Sequence, residues 1–138
     1  MTRIAIDTNL WLYLFLEGQD EVKAERLRFK LADVTRPVVL SQVIVECVAN
    51  LIRQADMPPA QIQIHVEDLL TCGDLQDRDA AVITRALSLM ESGSWSWWDS
   101  LIVAGALEAG CDELWTEDMQ HGRLVDDRLR LVNPFMQP

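Results

Sequence analysis

The sequence predicts an α/β fold built on a central, mainly parallel β-sheet. Three observations carry that expectation. Short apolar runs that read as buried strands recur at residues 3–6, 37–40, 113–116 and 129–132. Longer segments with apolar residues at helical spacing lie between them, as crossovers between parallel strands require. Turn and breaker residues, among them Met57-Pro58-Pro59 and Gly110, fall where one periodic segment gives way to the next.

Taken in order, residues 3–6 form the first strand, and Thr8 and Asn9 are placed to cap a helix running through Leu10, Leu12, Leu14 and Phe15. A charged second helix covers 21–31, with Val22, Leu27 and Leu31 available to pack. The strand at 37–40 leads to Ser41 as the cap of a helix reaching about residue 54. Met57-Pro58-Pro59 breaks the chain before a helix over 60–70. A short strand is expected around 73–75, then a helix over 78–90, the turn Glu91-Ser92-Gly93-Ser94, and a mostly apolar helix over 97–109. Gly110 stops that helix as a C-terminal glycine does. Strands at 113–116 and 129–132 complete the sheet. No repeat, linker or low-complexity segment interrupts residues 1–138, which read as one domain.

A chain of 138 residues that is 49% hydrophobic can bury one substantial core. No apolar stretch reaches the roughly 18 residues of a membrane span. The N-terminus lacks the basic flank and cleavage site of a signal peptide, so a soluble cytoplasmic protein is expected. Cys47, Cys72 and Cys111 are odd in number and not at metal-ligand spacing, which predicts reduced thiols. The net charge of −10 argues against a basic nucleic-acid surface. That argument weakens once the acids are located, because up to five of the 22 belong to one constellation whose charge divalent cations would partly cancel. Lys23, Arg26 and Lys30 share a helical face, which reads either as a solvated face or as a surface that positions RNA.

The constellation is Asp7, Glu46, Asp99 and the Glu117-Asp118 pair. Asp7 ends the apolar run Ile4-Ala5-Ile6, Glu46 interrupts Val43-Ile44-Val45 and Cys47-Val48, Asp99 opens Leu101-Ile102-Val103-Ala104, and Asp118 follows Leu114-Trp115-Thr116. An unpaired buried carboxylate costs several kcal/mol, on the order of a small domain's net stability, so four such placements call for a shared cation. Ligands of parallel sheets bind beyond the carboxyl ends of the strands. Asp7 and Asp118 fall there, and Glu46 and Asp99 fall in first turns of helices. Structural readings stand beside this one. Asp7 can be a turn or cap residue, Ser96-Trp97-Trp98-Asp99 has capping-box spacing, and Glu117 or Asp118 can cap a turn toward Gly122.

Ile6-Asp7-Thr8-Asn9, the isolated Glu46, Trp98-Asp99-Ser100-Leu101-Ile102-Val103-Ala104 and Thr116-Glu117-Asp118-Met119-Gln120-His121-Gly122 resemble, in order, the four acidic motifs of PIN domains. The similarity runs from Ile4 to the C-terminus, and the stretch from Trp98 to Gly122 is most similar to the VapC-like toxins of toxin-antitoxin modules. The resemblance implies a three-layer α/β/α fold and a Mg²⁺- or Mn²⁺-dependent endoribonuclease. It places Asp7, Glu46, Asp99 and Asp118 in the metal site, with Thr8, Asn9 and Thr116 in support and Glu117 left open. It implies RNA as substrate, products with 5′-phosphate and 3′-hydroxyl ends, and a cognate antitoxin. An arginine of that antitoxin, pairing bidentately with the carboxylates, would displace the metal. Trp11, Leu12, Phe15 and Leu16 are candidates for its apolar anchor, unless they form the core or a homodimer contact.

The chemistry agrees with the resemblance on separate grounds. Carboxylate oxygens without histidine or thiolate select hard cations. Such an ion activates water and neutralises charge developing on a phosphodiester, so no nucleophilic side chain is needed. Other patterns fail. There is no phosphate-binding glycine loop, and Gly93-Ser94-Trp95-Ser96-Trp97 is no nucleophile elbow. His65 and His121 read as local hydrogen-bonding residues, and Trp95, Trp97 and Trp98 as packing before base stacking. A signalling receiver domain would need a late lysine, whereas Lys23 and Lys30 are early. A catalytically silent PIN-like module or a housekeeping nuclease is the remaining alternative.

Overall fold

The computed structural model describes residues 2–136. Among them the elements follow as β1 (Ile4–Ile6), α1 (Thr8–Phe15), α2 (Glu21–Leu31), β2 (Val38–Leu40), α3 (Ser41–Ala55), α4 (Pro59–Cys72), β3 (Asp74–Gln76), α5 (Ala80–Glu91), α6 (Trp97–Glu108), β4 (Glu113–Trp115), β5 (Leu124–Val125) and β6 (Leu129–Val132). The strands form a six-stranded sheet in the order β3-β2-β1-β4-β6-β5. Every pairing is parallel except the β5–β6 hairpin at one edge.

Neighbouring residues of a strand point to opposite faces, so the wholly buried β1 and β2 show that both faces are covered. The result is the three-layer α/β/α arrangement. Helix α6 is buried on all sides from Ser100 to Leu107, which explains its uninterrupted apolar sequence. Its N-terminus, and with it Asp99, is thereby held fixed against the sheet. Gly73 marks another tight approach. A Cβ there would stand 2.5 Å from Val39 Cγ2 and 2.6 Å from the Pro37 carbonyl, so only glycine lets α4 end against β2.

Four local expectations are corrected. Asp7, rather than Thr8 or Asn9, caps α1, accepting the Thr8 N–H. Leu40 precedes α3 with no side-chain cap, and the Ser41 hydroxyl instead accepts the backbone N–H of Arg78 at 2.8 Å. In α2, Ala24 and Leu27 are buried while Val22 is exposed, because the helix turns its Ala24 side inward. Trp11 and Leu12 belong to the core, leaving Phe15 and Leu16 partly buried at the end of α1. The short β5 was not anticipated. Asp126 and Asp127 close its turn with left-handed φ of 52° and 55°, and the Asp-Asp pair between Val125 and Arg128 is the signal for it. No described helix is long and apolar enough to cross a membrane.

Candidate active site

Strand order fixes where the site lies. The chain moves from β1 outward to β2 and β3, then returns across the sheet to β4 on the other side of β1. The connections therefore diverge between β1 and β4, and a crevice opens past their carboxyl ends. Register brings Ile6 opposite Trp115, so the next residues, Asp7 and Thr116, face each other at that crevice. The Asp7 N–H donates to the Trp115 carbonyl at 2.9 Å, carrying the ladder one step further.

Asp7 is the buried centre. One carboxylate oxygen accepts the Thr8 N–H at 2.7 Å, and the other accepts the Thr116 hydroxyl at 2.8 Å. Thr116, fully buried, accepts in turn the Asp118 N–H at 3.3 Å, which links the two acids through one hydroxyl. Loss of water pushes the Asp7 pKa up to about 6; the Thr116 and Thr8 bonds oppose this, and the charges of Glu46 and Asp118 add to it. Glu46 stands in the second turn of α3, not the first. It accepts the Thr8 hydroxyl on one oxygen at 3.0 Å and the Gln42 amide on the other at 2.8 Å. Asp118 accepts the Asn9 amide at 2.7 Å.

Asp99 is the third residue of α6, and its N–H donates to the Ser96 hydroxyl at 3.1 Å. Ser96 is therefore the cap, and Asp99 stands at the third position that the capping-box reading gives it. Burial raises the Asp99 pKa, a bond from Ser96 lowers it, and the Asp118 charge raises it further. Asp7 thus feels Glu46 and Asp118, and Asp99 feels Asp118. The four acids share one electrostatic neighbourhood drawn from two strands and two helices.

Glu117 goes elsewhere. Lys23 Nζ lies 2.6 Å from one of its oxygens, and the Tyr13 hydroxyl donates to the other. Lys23 also stands 5.2 Å from the Tyr13 and Phe135 ring centroids. Adjacent acids on an extended segment point apart, and here one joins the crevice while its neighbour pairs with α2.

A PIN domain family model matches residues 4–126. The chain belongs to the PIN domain family. Among solved structures, a toxin-antitoxin complex from Klebsiella pneumoniae is 17% identical over 97% of this chain and 98% of that one, with a TM-score of 0.71. Mycobacterium tuberculosis VapC20, described as a sarcin-ricin loop cleaving toxin, is 16% identical over 83% of this chain and 89% of its own, with a TM-score of 0.67. VapBC2 from Rickettsia felis, bound to a DNA fragment from its promoter, is 17% identical over 96% and 100%, with a TM-score of 0.64. At these identities the likeness is one of fold. No curated protein matches the chain by sequence.

In this PIN fold the donors around the four acids are hydroxyls, amides and backbone N–H groups. Among the described residues no ion pair reaches Asp7, Glu46, Asp99 or Asp118. Among the same residues no group of three His, Cys, Asp or Glu side chains is placed to hold a metal ion. Asp7, Glu46 and Asp118 accept from neutral donors and keep carboxylate lone pairs unengaged. An all-oxygen set with a buried, unpaired carboxylate at its centre fits Mg²⁺ or Mn²⁺.

Sequence reasoning missed Gln42 and Tyr13, and assigned Lys23 to a solvated or RNA-positioning face rather than to Glu117. Gln42 alone carried a usable signal: it lies one helical turn before Glu46, where an amide can donate to it. Of the two histidines, one takes the hydrogen-bonding role expected. His121 Nδ1 accepts the Asn133 N–H at 2.9 Å, whereas His65 makes instead a tilted ring contact with Phe15, centroids 4.6 Å apart. Trp95 and Trp97 pack against the core, whereas Trp98, beside Asp99, is 59% exposed and so does not serve as packing.

Proposed function

We propose that this chain is a Mg²⁺- or Mn²⁺-dependent endoribonuclease and the toxin of a toxin-antitoxin module. The reading is supported by the charges of Glu46 and Asp118 acting on Asp7 and that of Asp118 acting on Asp99, past the strand switch point, with neutral donors around Asp7, Glu46 and Asp118. The likeness in fold to VapC20, and to the Klebsiella and Rickettsia assemblies, supports a nuclease and toxin, while the ion is argued from the all-oxygen donor set. Bound there, the ion would supply an activated water and neutralise charge developing on the scissile phosphate.

The chain's own residues supply position and charge. Asp7, Glu46, Asp99 and Asp118 would hold the ion. Thr116 aligns Asp7 with the Asp118 backbone, Thr8 aligns Glu46, and Asn9 aligns Asp118. Burial of Asp7 keeps its charge poorly solvated and therefore strongly attracted to a cation. The apolar floor of β1 and β4 fixes these groups before substrate arrives, which removes reorganisation from the reacting complex. A small antitoxin made alongside the toxin would insert an arginine among the same carboxylates, with Phe15 and Leu16 left as candidates for its apolar contact.

The test is cleavage of RNA by the purified chain with Mg²⁺ or Mn²⁺, with excess chelator, and after the ion is restored. Cleavage should vanish with chelator and return with metal. Undiminished cleavage in chelator overturns the metal mechanism, and no cleavage of any RNA under any ion leaves a silent PIN-like module. Growth arrest on expression, relieved by the neighbouring small open reading frame, checks the toxin assignment.

A further inference from the structure

Glu46 is the one acid of the crevice held by a side chain that is itself held by a charge. Gln42 is 3% exposed and lies one turn before Glu46 on α3. Its amide nitrogen donates to Glu46 Oε2 at 2.8 Å, and its carbonyl oxygen accepts from Arg78 Nη1. Arg78 comes from the loop between β3 and α5, and its backbone N–H is tied to the Ser41 hydroxyl at 2.8 Å. The arginine is anchored at both its backbone and its guanidinium to the first two residues of α3.

The polarity of this chain of bonds is forced. A guanidinium only donates and a carboxylate only accepts, while a carboxamide has one end of each kind. An unrestrained Gln42 could turn its carbonyl toward Glu46, setting two oxygens against each other. Arg78 removes that choice by occupying the carbonyl, so the NH₂ end must face Glu46. With Thr8 on the other oxygen, each Glu46 oxygen has one lone pair engaged and others left to accept a cation. Groups behind a metal ligand commonly set its orientation and basicity.

We propose that Gln42, locked by Arg78, is the positioning residue that presents Glu46 to the metal ion, an inference that rests on the metal-dependent reading above. Arg78 acts through the amide rather than through its charge. The two modes predict opposite signs. Removing a cation near a cation-binding site strengthens binding if its charge acts through space. Removing the lock on Gln42 weakens it.

The experiment is Mn²⁺ binding to the purified full chain, read by calorimetry and electron paramagnetic resonance without RNA. Gln42→Met, close in volume but with neither donor nor acceptor, should raise the Mn²⁺ dissociation constant by about 10- to 100-fold. Arg78→Met should raise it by several-fold. The double variant should bind no more weakly than Gln42→Met alone, because Arg78 has no other route to Glu46. Melting curves establish that each variant is folded. An unchanged dissociation constant in folded Gln42→Met overturns the proposal, as does tighter binding in Arg78→Met or additive losses in the double variant. Should Gln42→Met fail to fold, the exposed Arg78→Met decides by the sign of its effect. If the unaltered chain takes up no Mn²⁺, the metal reading itself has failed, an outcome distinct from normal Mn²⁺ uptake that is indifferent to Gln42.

Discussion

The two ends of the same sheet treat their acids in opposite ways. At the amino ends of the parallel strands, Asp74 is paired with Arg36 at 2.9 Å and Arg3 at 3.5 Å, and Asp112 accepts the Arg3 N–H at 2.8 Å. These groups lie at the surface, and Arg36 holds the Asp74 pKa below its ordinary value. At the carboxyl ends, Asp7 is buried among further acids, meets only neutral donors, and has its pKa pushed up to about 6. Arginine pairs directly with a carboxylate at the amino end, whereas at the carboxyl end Arg78 reaches Glu46 only through the Gln42 amide. The amino end is a set of solvated ion pairs that add little to stability, whereas the carboxyl end keeps negative charge unneutralised at a real cost. The cation proposed for the crevice would offset that cost.

The largest expected effect comes from removing charge at the centre of the carboxyl end. Asp7→Asn should reduce RNA cleavage to that of a chelator-treated control, measured on the purified chain. Its metal-free stability should move the other way. A carboxyl whose folded pKa lies above its unfolded value near 3.8 stabilises the fold below that value and loses the contribution as pH rises through about 6. Wild type and Asp7→Asn should therefore be alike in chemical denaturation at pH 4 and diverge up to pH 7, with the variant more stable by up to ~3 kcal/mol, since each pKa unit is worth about 1.4 kcal/mol. Equal stability throughout, with cleavage intact, would remove Asp7 from the site.

The next prediction sharpens the comparison within two adjacent residues. Asp118 faces the crevice with Asn9, while Glu117 is already paired with Lys23 and Tyr13. Asp118→Asn should lose most RNA cleavage, and Glu117→Gln should retain it within a few-fold. Mn²⁺ titration should separate them in the same direction, because Asp118 is the one of the pair proposed to hold the ion. Comparable losses in both variants would mean that Glu117 leaves Lys23 when metal arrives.

How much of this was legible in the sequence follows from what kind of signal each feature leaves. Asp7, Glu46, Asp99 and Asp118 could be found because charge interrupts apolar segments, and the parallel sheet could be found because β1, β2 and β4 are short and apolar. Their convergence past β1 and β4 follows from strand order, which sequence pattern alone suggests without fixing. The Glu117 and Asp118 roles were not separable, since both occupy one loop and differ only in what faces them across 94 residues, at Lys23. Gln42 was overlooked because a polar residue in the first turn of a helix reads as solvated, whereas here Arg78, from a distant loop, covers it. The cap of α1 was misplaced for a related reason. Asp7 serves as both cap and acid, which frees the Thr8 hydroxyl for Glu46 and the Asn9 amide for Asp118.

The smallest expected effect lies at the amino end, and its sign is the useful part. Asp74 has a lowered pKa, so its pairing stabilises the fold above the ordinary carboxylate range and the contribution is lost as pH falls through the depressed value. Arg36→Met removes the nearer partner together with its bonds to the Thr71 and Gly73 carbonyls. The melting temperature should drop slightly at pH 7 and less at pH 3, because the lost ion pair no longer matters once Asp74 is protonated. That trend runs opposite to the one expected for Asp7, where the variant and wild type part company as pH rises. RNA cleavage and Mn²⁺ binding should be unchanged in Arg36→Met, since its charge stands at the far end of the strands. A marked loss of either would mean that the amino end communicates with the crevice through the length of the sheet, and the division of labour between the two ends would not hold.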